Sequence, residues 1–398
     1  MTLLAGLAEI HDVGRDARRG GYSRHVWDSS ELELREWFVA RAVALGLDVE
    51  TDRNGNIWAW WGAPGADAVV TGSHLDSVPG GGEFDGPLGV VSALDAVARL
   101  QATGFTPSRP FAIVVFAEEE GSRFGIACLG SRLLTGALSA EKANSLVDAA
   151  GITFAEAATR AGLNPAHVGV DREALDRIGL FVELHVEQGR GLIDLGAPVA
   201  VASSILAHGR WRVTYSGEGN HAGATLMAGR RDPMVAASLG VLAIRDAAVH
   251  MHGARATVGR LEAIPGGTNV IPSTVSTWLD ARAGSDADTR ELVDQITAGV
   301  AEAAAGENCT VTIVEESWSG EVSFDPALRD RLSSALGTLP VLPTGAGHDA
   351  GVLASAVPTA MLFVRNPTGI SHSPEELAEL DDTIAGVEAL ERVLRELL

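Results

Sequence analysis

The chain has 398 residues, of which 46% are hydrophobic, enough for a sizeable core spread over about two to three domain-lengths, and this excludes a disordered tail protein. Thirty Lys and Arg against 52 Asp and Glu leave a net charge of −22, which repels phosphate backbones and anionic lipid and so argues against nucleic acid or a membrane as partner. Only two cysteines occur, Cys128 and Cys309, each within an apolar stretch; they are expected as core residues in a reduced compartment rather than as a disulfide framework. The apolar start of the chain carries Glu9 and no leading basic region, and the apolar run 235–244 is far short of a membrane span, so a soluble, cytoplasmic protein is expected.

Glycines punctuate alternating strand-like and helix-like segments, the pattern of α/β architecture. Helical spacing of Leu34, Trp37, Phe38, Ala42 and Leu45 predicts a helix over 29–45, stopped by Gly46. Short strands follow at 57–61 and 68–72, then a helix over about 87–101. The apolar run 111–117 reads as a strand buried on both faces of a largely parallel sheet, and 180–186 as another strand. The rhythm then changes. Alternation at 210–215, a helix at 233–249, strands at 256–264 and 270–280, a helix at 288–305 and alternation at 310–314 spell β-α-β-β-α-β, the split ferredoxin-like unit. A helix at 326–336, a strand at 360–365 and a long helix from Pro374 complete the chain. The expected organisation is therefore a catalytic α/β domain, a mostly parallel sheet flanked by helices, built from 1–204 and 318–398, with a ferredoxin-like α+β domain of 205–317 inserted as lid and dimerisation surface.

Four places put metal-type side chains at or just beyond a predicted strand end. They are His74 and Asp76, with Asp85 eleven residues past the histidine; Glu118, Glu119 and Glu120; Glu183, His185 and Glu187; and His372. In open α/β sheets the carboxyl ends of strands converge on one crevice, where residues distant in sequence can meet. A buried strand running straight into three carboxylates is costly unless their charge is compensated. Two imidazoles and two carboxylates fill one cation site, and the further carboxylates suggest a second ion sharing a bridge. Mixed nitrogen and oxygen donors suit Zn²⁺, Mn²⁺, Co²⁺ or Ni²⁺. The alternatives are a hydrogen-bonded core histidine and a solvated acidic loop. His11, His25 and His167 show no partner pattern, and His250 and His252 read as an exposed helix end.

The blocks 72–78, 81–89, 119–124, 183–189, 220–223, 269–272, 280–282, 345–349 and 371–374 follow one another along nearly the whole chain. Together they resemble the hydantoinase/carbamoylase branch of the di-metal aminoacylase and carboxypeptidase clan, which includes allantoate amidohydrolase, N-carbamoyl-L-amino-acid hydrolase and β-ureidopropionase. The resemblance implies two divalent ions per subunit, bridged by Asp85, with His74 and His185 completing one position and Glu120 and His372 the other. It implies Glu119 as general base and His221, reaching in from its own or a partner subunit, as donor to the carbonyl oxygen. It also implies Asn269 and Arg282 on a substrate carboxylate, Gln188 on the substrate or its carbamoyl group and His348 beside the metals. Asp76, two residues past His74 on an extended chain, fits an acceptor that fixes the imidazole tautomer; its alternative is a turn-forming Asp. Two positions depart from many relatives: Leu226 stands where a proline is common, which would loosen the loop after His221, and Glu83 stands at a variable position beside Asp85.

The expected reaction is hydrolysis of the terminal ureido C–N bond of a small carboxylate substrate by a homodimer. Stretches 20–24 and 365–369 favour allantoate by overall resemblance. The competing readings are an N-carbamoyl-L-amino-acid hydrolase or β-ureidopropionase, an aminoacylase or dipeptidase, and a catalytically silent dimeric binding protein.

Overall fold

The computed structural model describes residues 3–398, which divide into two compact units, 3–204 with Ser323–Leu398 and Ile205–Val322. The larger unit is built on a nine-stranded sheet. Its centre is four parallel strands, in spatial order Phe111–Phe116, Ala68–His74, Ile178–Val186 and Thr359–Val364. Three of these four are buried along their whole length and the fourth, Ile178–Val186, along all but one residue, because Val, Ile, Phe and Leu fill both faces. Antiparallel strands close the flanks, Asp48–Thr51 and Ile57–Trp61 on one side and Val199–Ile205 on the other. The helix Pro87–Ala102 lies on one face, with Leu88, Val90, Val91, Leu94, Val97 and Leu100 buried, and packs beside the C-terminal helix Leu380–Leu397. Its early glycine is required: a Cβ at Gly89 would lie 2.3 Å from the Leu184 carbonyl oxygen.

The smaller unit is a four-stranded antiparallel sheet in the order Thr310–Ser319, Ala207–Ser216, Thr274–Ala283 and Arg255–Ile264. With helices Pro233–His250 and Asp286–Gly306 packed on it, this is the split β-α-β topology. The run read as one strand over 270–280 is two, Val270–Ile271 and Thr274–Ala283, separated at Pro272, which has no N–H to give a ladder. The first piece pairs with Asn220–His221. Helix Pro233–His250 is alone among the described residues in reaching the length and mean hydropathy of a membrane span. Ala236, Ala237, Gly240, Ile244 and Ala248 face the sheet, whereas Val235, Leu239, Leu242 and Val249 are exposed.

The C-terminal helix starts at Leu380, not at Pro374, and 374–379 forms a turn segment. The reason is long-range: the Glu376 carboxylate is drawn inward by backbone amides of the Asp85 loop. Residues 129–177 carry four short helices, Leu129–Thr135, Ala140–Asn144, Phe154–Arg160 and Arg172–Arg177. They wrap a small aromatic core in which Trp27 meets Phe124 and Phe154.

Candidate metal centre

All four central strands deliver ligand-type residues from their carboxyl ends. The Ala68–His74 strand ends on His74, whose Nδ1–H donates to the Asp76 main-chain carbonyl at 3.0 Å. The Ile178–Val186 strand carries His185, whose Nδ1–H donates to the Val186 carbonyl at 2.9 Å. With Nδ1 as donor, each neutral ring keeps its lone pair on Nε2. Those two Nε2 atoms are buried without a hydrogen-bond partner, and both face Asp85 Oδ1, at 3.6 Å from His74 and 3.2 Å from His185. Two lone pairs and a carboxylate oxygen converging in a dry site repel one another unless positive charge sits among them. Burial alone pushes both imidazoles down, but the surrounding carboxylates win. Glu119 and Asp85 hold His74 well above its ordinary range, and Asp85 lifts His185 to about 9. Burial would raise Asp85 itself, yet the two rings hold its carboxyl well below the usual carboxylate range. The proton demanded by this arrangement stands where a divalent cation fits.

The other oxygen of Asp85 looks to a second cluster. Oδ2 lies 3.4 Å from His372 Nε2, which in turn lies 3.4 Å from Glu120 Oε2. His74, Asp85 and His185 thus form one donor set and Asp85, Glu120 and His372 another, with Asp85 common to both. Gly86 makes this packing feasible, since a Cβ there would stand 2.4 Å from the His74 ring and its φ is +85°.

Glu119 lies beside these donor sets and in neither. Its Oε2 is 3.6 Å from His74 Nε2, and its Oε1 accepts from the Cys128 thiol at 3.2 Å. Burial, helped by the charges of Asp76 and Asp85 and opposed by His74, pushes its carboxyl up to about 7. The Asp76 carboxylate does not take the His74 Nδ1–H, which goes to its main-chain carbonyl with Oδ1 at 3.6 Å. Instead it accepts from the backbone amides of Glu119 and Glu120 at 3.1 and 3.0 Å and so fixes the carboxylate loop. Gln188 Nε2 donates to Asp85 Oδ2 at 2.8 Å and to Ser371 Oγ at 3.1 Å. His348 stacks obliquely on His185 with ring centroids 4.5 Å apart, its Nε2 buried and unpaired, and burial holds it well below its ordinary range. Glu83 belongs to neither donor set; it accepts from Tyr22 OH at 3.1 Å and contacts His11, a partner that the sequence pattern did not reveal.

The remaining three predicted residues lie in the smaller unit. His221 and Asn269 are brought together, because His221 pairs with Val270 and the Ala222 amide donates to the Asn269 carbonyl. His221 is exposed and its Nδ1 accepts from Ala224 N. The loop that lacks the common proline is held another way, by Arg230 donating to the Ala222 and Thr225 carbonyls at 2.8 and 2.6 Å. Arg282, at the end of its strand, grips Asp280 with a two-pronged contact of 2.7 and 3.0 Å. Sequence reasoning gave no specific role to several buried groups around the centre: Glu118 and Glu183, which it read only as ligand-type residues near strand ends, Cys128, which it read as a core residue, Asp349, and Glu376, which it did not single out. Glu118 takes a left-handed conformation (φ 56°) that turns its carboxyl onto the Arg123 and Phe124 amides, and burial, with Asp76 nearby, raises it to about 8.

Residues 70–396 match the Peptidase family M20/M25/M40. The protein belongs to that family, in its hydantoinase/carbamoylase branch. The chain is 37% identical over 391 residues to an N-carbamoyl-L-amino acid amidohydrolase of Geobacillus stearothermophilus, covering 96% of this chain and 95% of that one. It is 31% identical over 392 residues to the allantoate amidohydrolase of Escherichia coli strain K12, covering 95% and 93%. A crystal structure of a hydantoinase/carbamoylase family amidase from Burkholderia multivorans superposes with a TM-score of 0.87 at 32% identity, covering 98% of this chain and 95% of that one.

Proposed function

We propose that this hydrolase cleaves the terminal carbamoyl C–N bond of a small ureido-carboxylate, with N-carbamoyl-L-amino acids as its leading substrates. The observation that carries the reading is the pair of donor sets joined through Asp85, with Glu119 beside them and outside both. Asp85 would hold two divalent ions, Mn²⁺ or Zn²⁺ by donor type with Co²⁺ or Ni²⁺ as alternatives, together with His74 and His185 at one position and Glu120 and His372 at the other. Such ions, when bound, acidify a water and polarise the carbonyl. Glu119 takes the water's proton at Oε2, the oxygen turned toward His74, while the Cys128 thiol steadies Oε1. A carboxyl held near neutrality by burial can both accept that proton and return it to the leaving nitrogen. The balance is water plus a ureido acid giving the amino acid and a carbamate, which decomposes to CO₂ and ammonia. Gln188, which donates to Asp85 at 2.8 Å, is proposed as a contact to the carbamoyl group. In the smaller unit, His221 is proposed as donor to the carbonyl oxygen, and Asn269 and Arg282 as the grip on the carboxylate, for which the Arg282 fork must share or leave Asp280.

Allantoate is the second reading, favoured by the stretches 20–24 and 365–369. In the structure those stretches brace loops: the Tyr22 amide donates to Gly81 at 3.0 Å and Arg365 grips Asp382 at 2.8 and 2.9 Å. The higher identity to the Geobacillus enzyme therefore weighs more. Ammonia release should be measured over N-carbamoyl-L-amino acids and allantoate, and release of the free amino acid over N-acetyl-amino acids and dipeptides, whose hydrolysis yields no ammonia. Release from N-carbamoyl-L-amino acids is expected to exceed the others; turnover of only the N-acetyl-amino acids or dipeptides would overturn the carbamoyl reading.

The same reading includes a homodimer through the smaller unit. Val235, Leu239, Leu242 and Val249 recur at three-, four- and seven-residue spacing and leave an apolar stripe along one exposed face of a helix. A second copy of the chain can cover that stripe with its own. Sedimentation velocity is expected to give a dimer that Leu242→Glu converts to monomer, and a monomeric wild-type chain would remove this element.

A further inference from the structure

A carboxylate that the two-ion reading does not use sits directly behind the shared ligand. Glu376, from the turn segment before the last helix, is only 5% exposed. Its Oε1 accepts from the backbone amides of Phe84 at 3.1 Å and Asp85 at 2.9 Å, 292 and 291 residues away in sequence. Its Oε2 accepts from Ser371 Oγ at 2.8 Å, and Ser371 also lies 3.3 Å from Asp85 Oδ2. Gly82 gives it room, because a Cβ there would fall 2.2 Å from Oε1.

We propose that Glu376 is the positioning residue that ties the Asp85 loop to the His372 segment, so that one buried carboxylate sets the spacing of two of the three donors at the Asp85, Glu120 and His372 position. Ser371, adjacent to His372, carries the tie on one side, and the two amides carry it on the other. Asp85 itself is also steadied by its approach to His74 and His185, so the position built from those rings depends less on Glu376. The consequence is selective: losing Glu376 loosens one ion more than the other. Glutamine keeps an oxygen for both amides and still reaches Ser371, which can accept from its amide while donating to Asp85. Alanine leaves two buried amides without an acceptor.

The proposal rests on the two-ion reading, and the test separates the two. The full chain, stripped with chelator, is titrated with Mn²⁺ and in parallel with Zn²⁺, and stoichiometry and stepwise affinities are recorded for wild type, Glu376→Gln, Glu376→Ala and Ser371→Ala, with a thermal melt of each metal-free chain. Wild type is expected to bind two ions. Glu376→Ala should bind the first ion within a few-fold of wild type and the second about 10- to 100-fold more weakly, Ser371→Ala should show a smaller loss at the same step, and Glu376→Gln should restore it. A merely structural role would lower the melting temperature without splitting the two affinities. Equal affinities in Glu376→Ala and wild type would overturn the proposal. Should Glu376→Ala fail to fold, unchanged stepwise binding in Ser371→Ala would overturn it equally. A wild-type chain that binds fewer than two ions would overturn the reading on which it stands.

Discussion

Glu119→Gln is expected to reduce turnover by about 100- to 10,000-fold while leaving the ion content of the purified protein at its wild-type level. Glutamine matches glutamate in shape and can still accept the Cys128 thiol at Oε1, so the local packing survives. What it loses is the ability to take a proton on the oxygen that faces His74. Because Glu119 belongs to neither donor set, removing its charge does not remove a ligand. Elemental analysis and ammonia release on the same preparation separate the two roles. Loss of ions along with activity would make Glu119 a ligand and shift the base to a neighbouring residue; full activity would place the base elsewhere altogether.

The neighbouring residues are the ones that the sequence made easiest to find, and the physical reason lies in the sheet. The segments around Ala68–His74, Phe111–Phe116, Ile178–Val186 and Thr359–Val364 are apolar because both faces are covered, so a histidine or a run of glutamates at their ends stands out against the pattern. Their parallel arrangement then forces those ends to one side. Contacts carried by the backbone left no such mark. That Asp76 serves His74 through its carbonyl and the Glu119 loop through its carboxylate depends on a turn geometry that the two-residue spacing does not encode. Glu376 was hidden by its neighbours, since Pro374 followed by acidic residues and a leucine stripe looks like a helix start. Its true conformation is decided by two amides near the other end of the chain. The short helices between 129 and 177 have clear local caps, such as the reciprocal Thr153 and Glu156 bonds, but are too brief to show a period. In the smaller unit the alternation was legible, whereas the engagement of Arg282 by Asp280 was not.

The second large effect concerns removal of the ions. Chelation is expected to abolish ammonia release, with recovery on adding Mn²⁺ or Zn²⁺, and to leave a folded chain whose stability falls steadily as pH rises. The buried carboxyls set the sign. Glu119 is pushed up to about 7 and Glu118 to about 8, both chiefly by burial, from 4.5 in an unfolded chain. A folded state that holds these protons after the unfolded chain has released them gains stability below the unfolded value and loses it as pH climbs through the folded one. His185 adds to the same slope at higher pH, because carboxylates outweigh its burial and lift it from 6.5 to about 9. Asp85 works in the opposite sense and only at the acid end, where its depressed carboxyl loses its contribution as pH falls. The metal-free melting temperature should therefore decline between about pH 5 and 9. Ions replace those protons as the source of positive charge, so the reconstituted protein should show a flatter or rising profile over the same range and should release protons on loading. Thermal melts of stripped and reconstituted protein across that range decide the matter: parallel profiles would mean that the buried carboxylates are compensated by something other than the cations that Asp85, with its two donor sets, is arranged to hold.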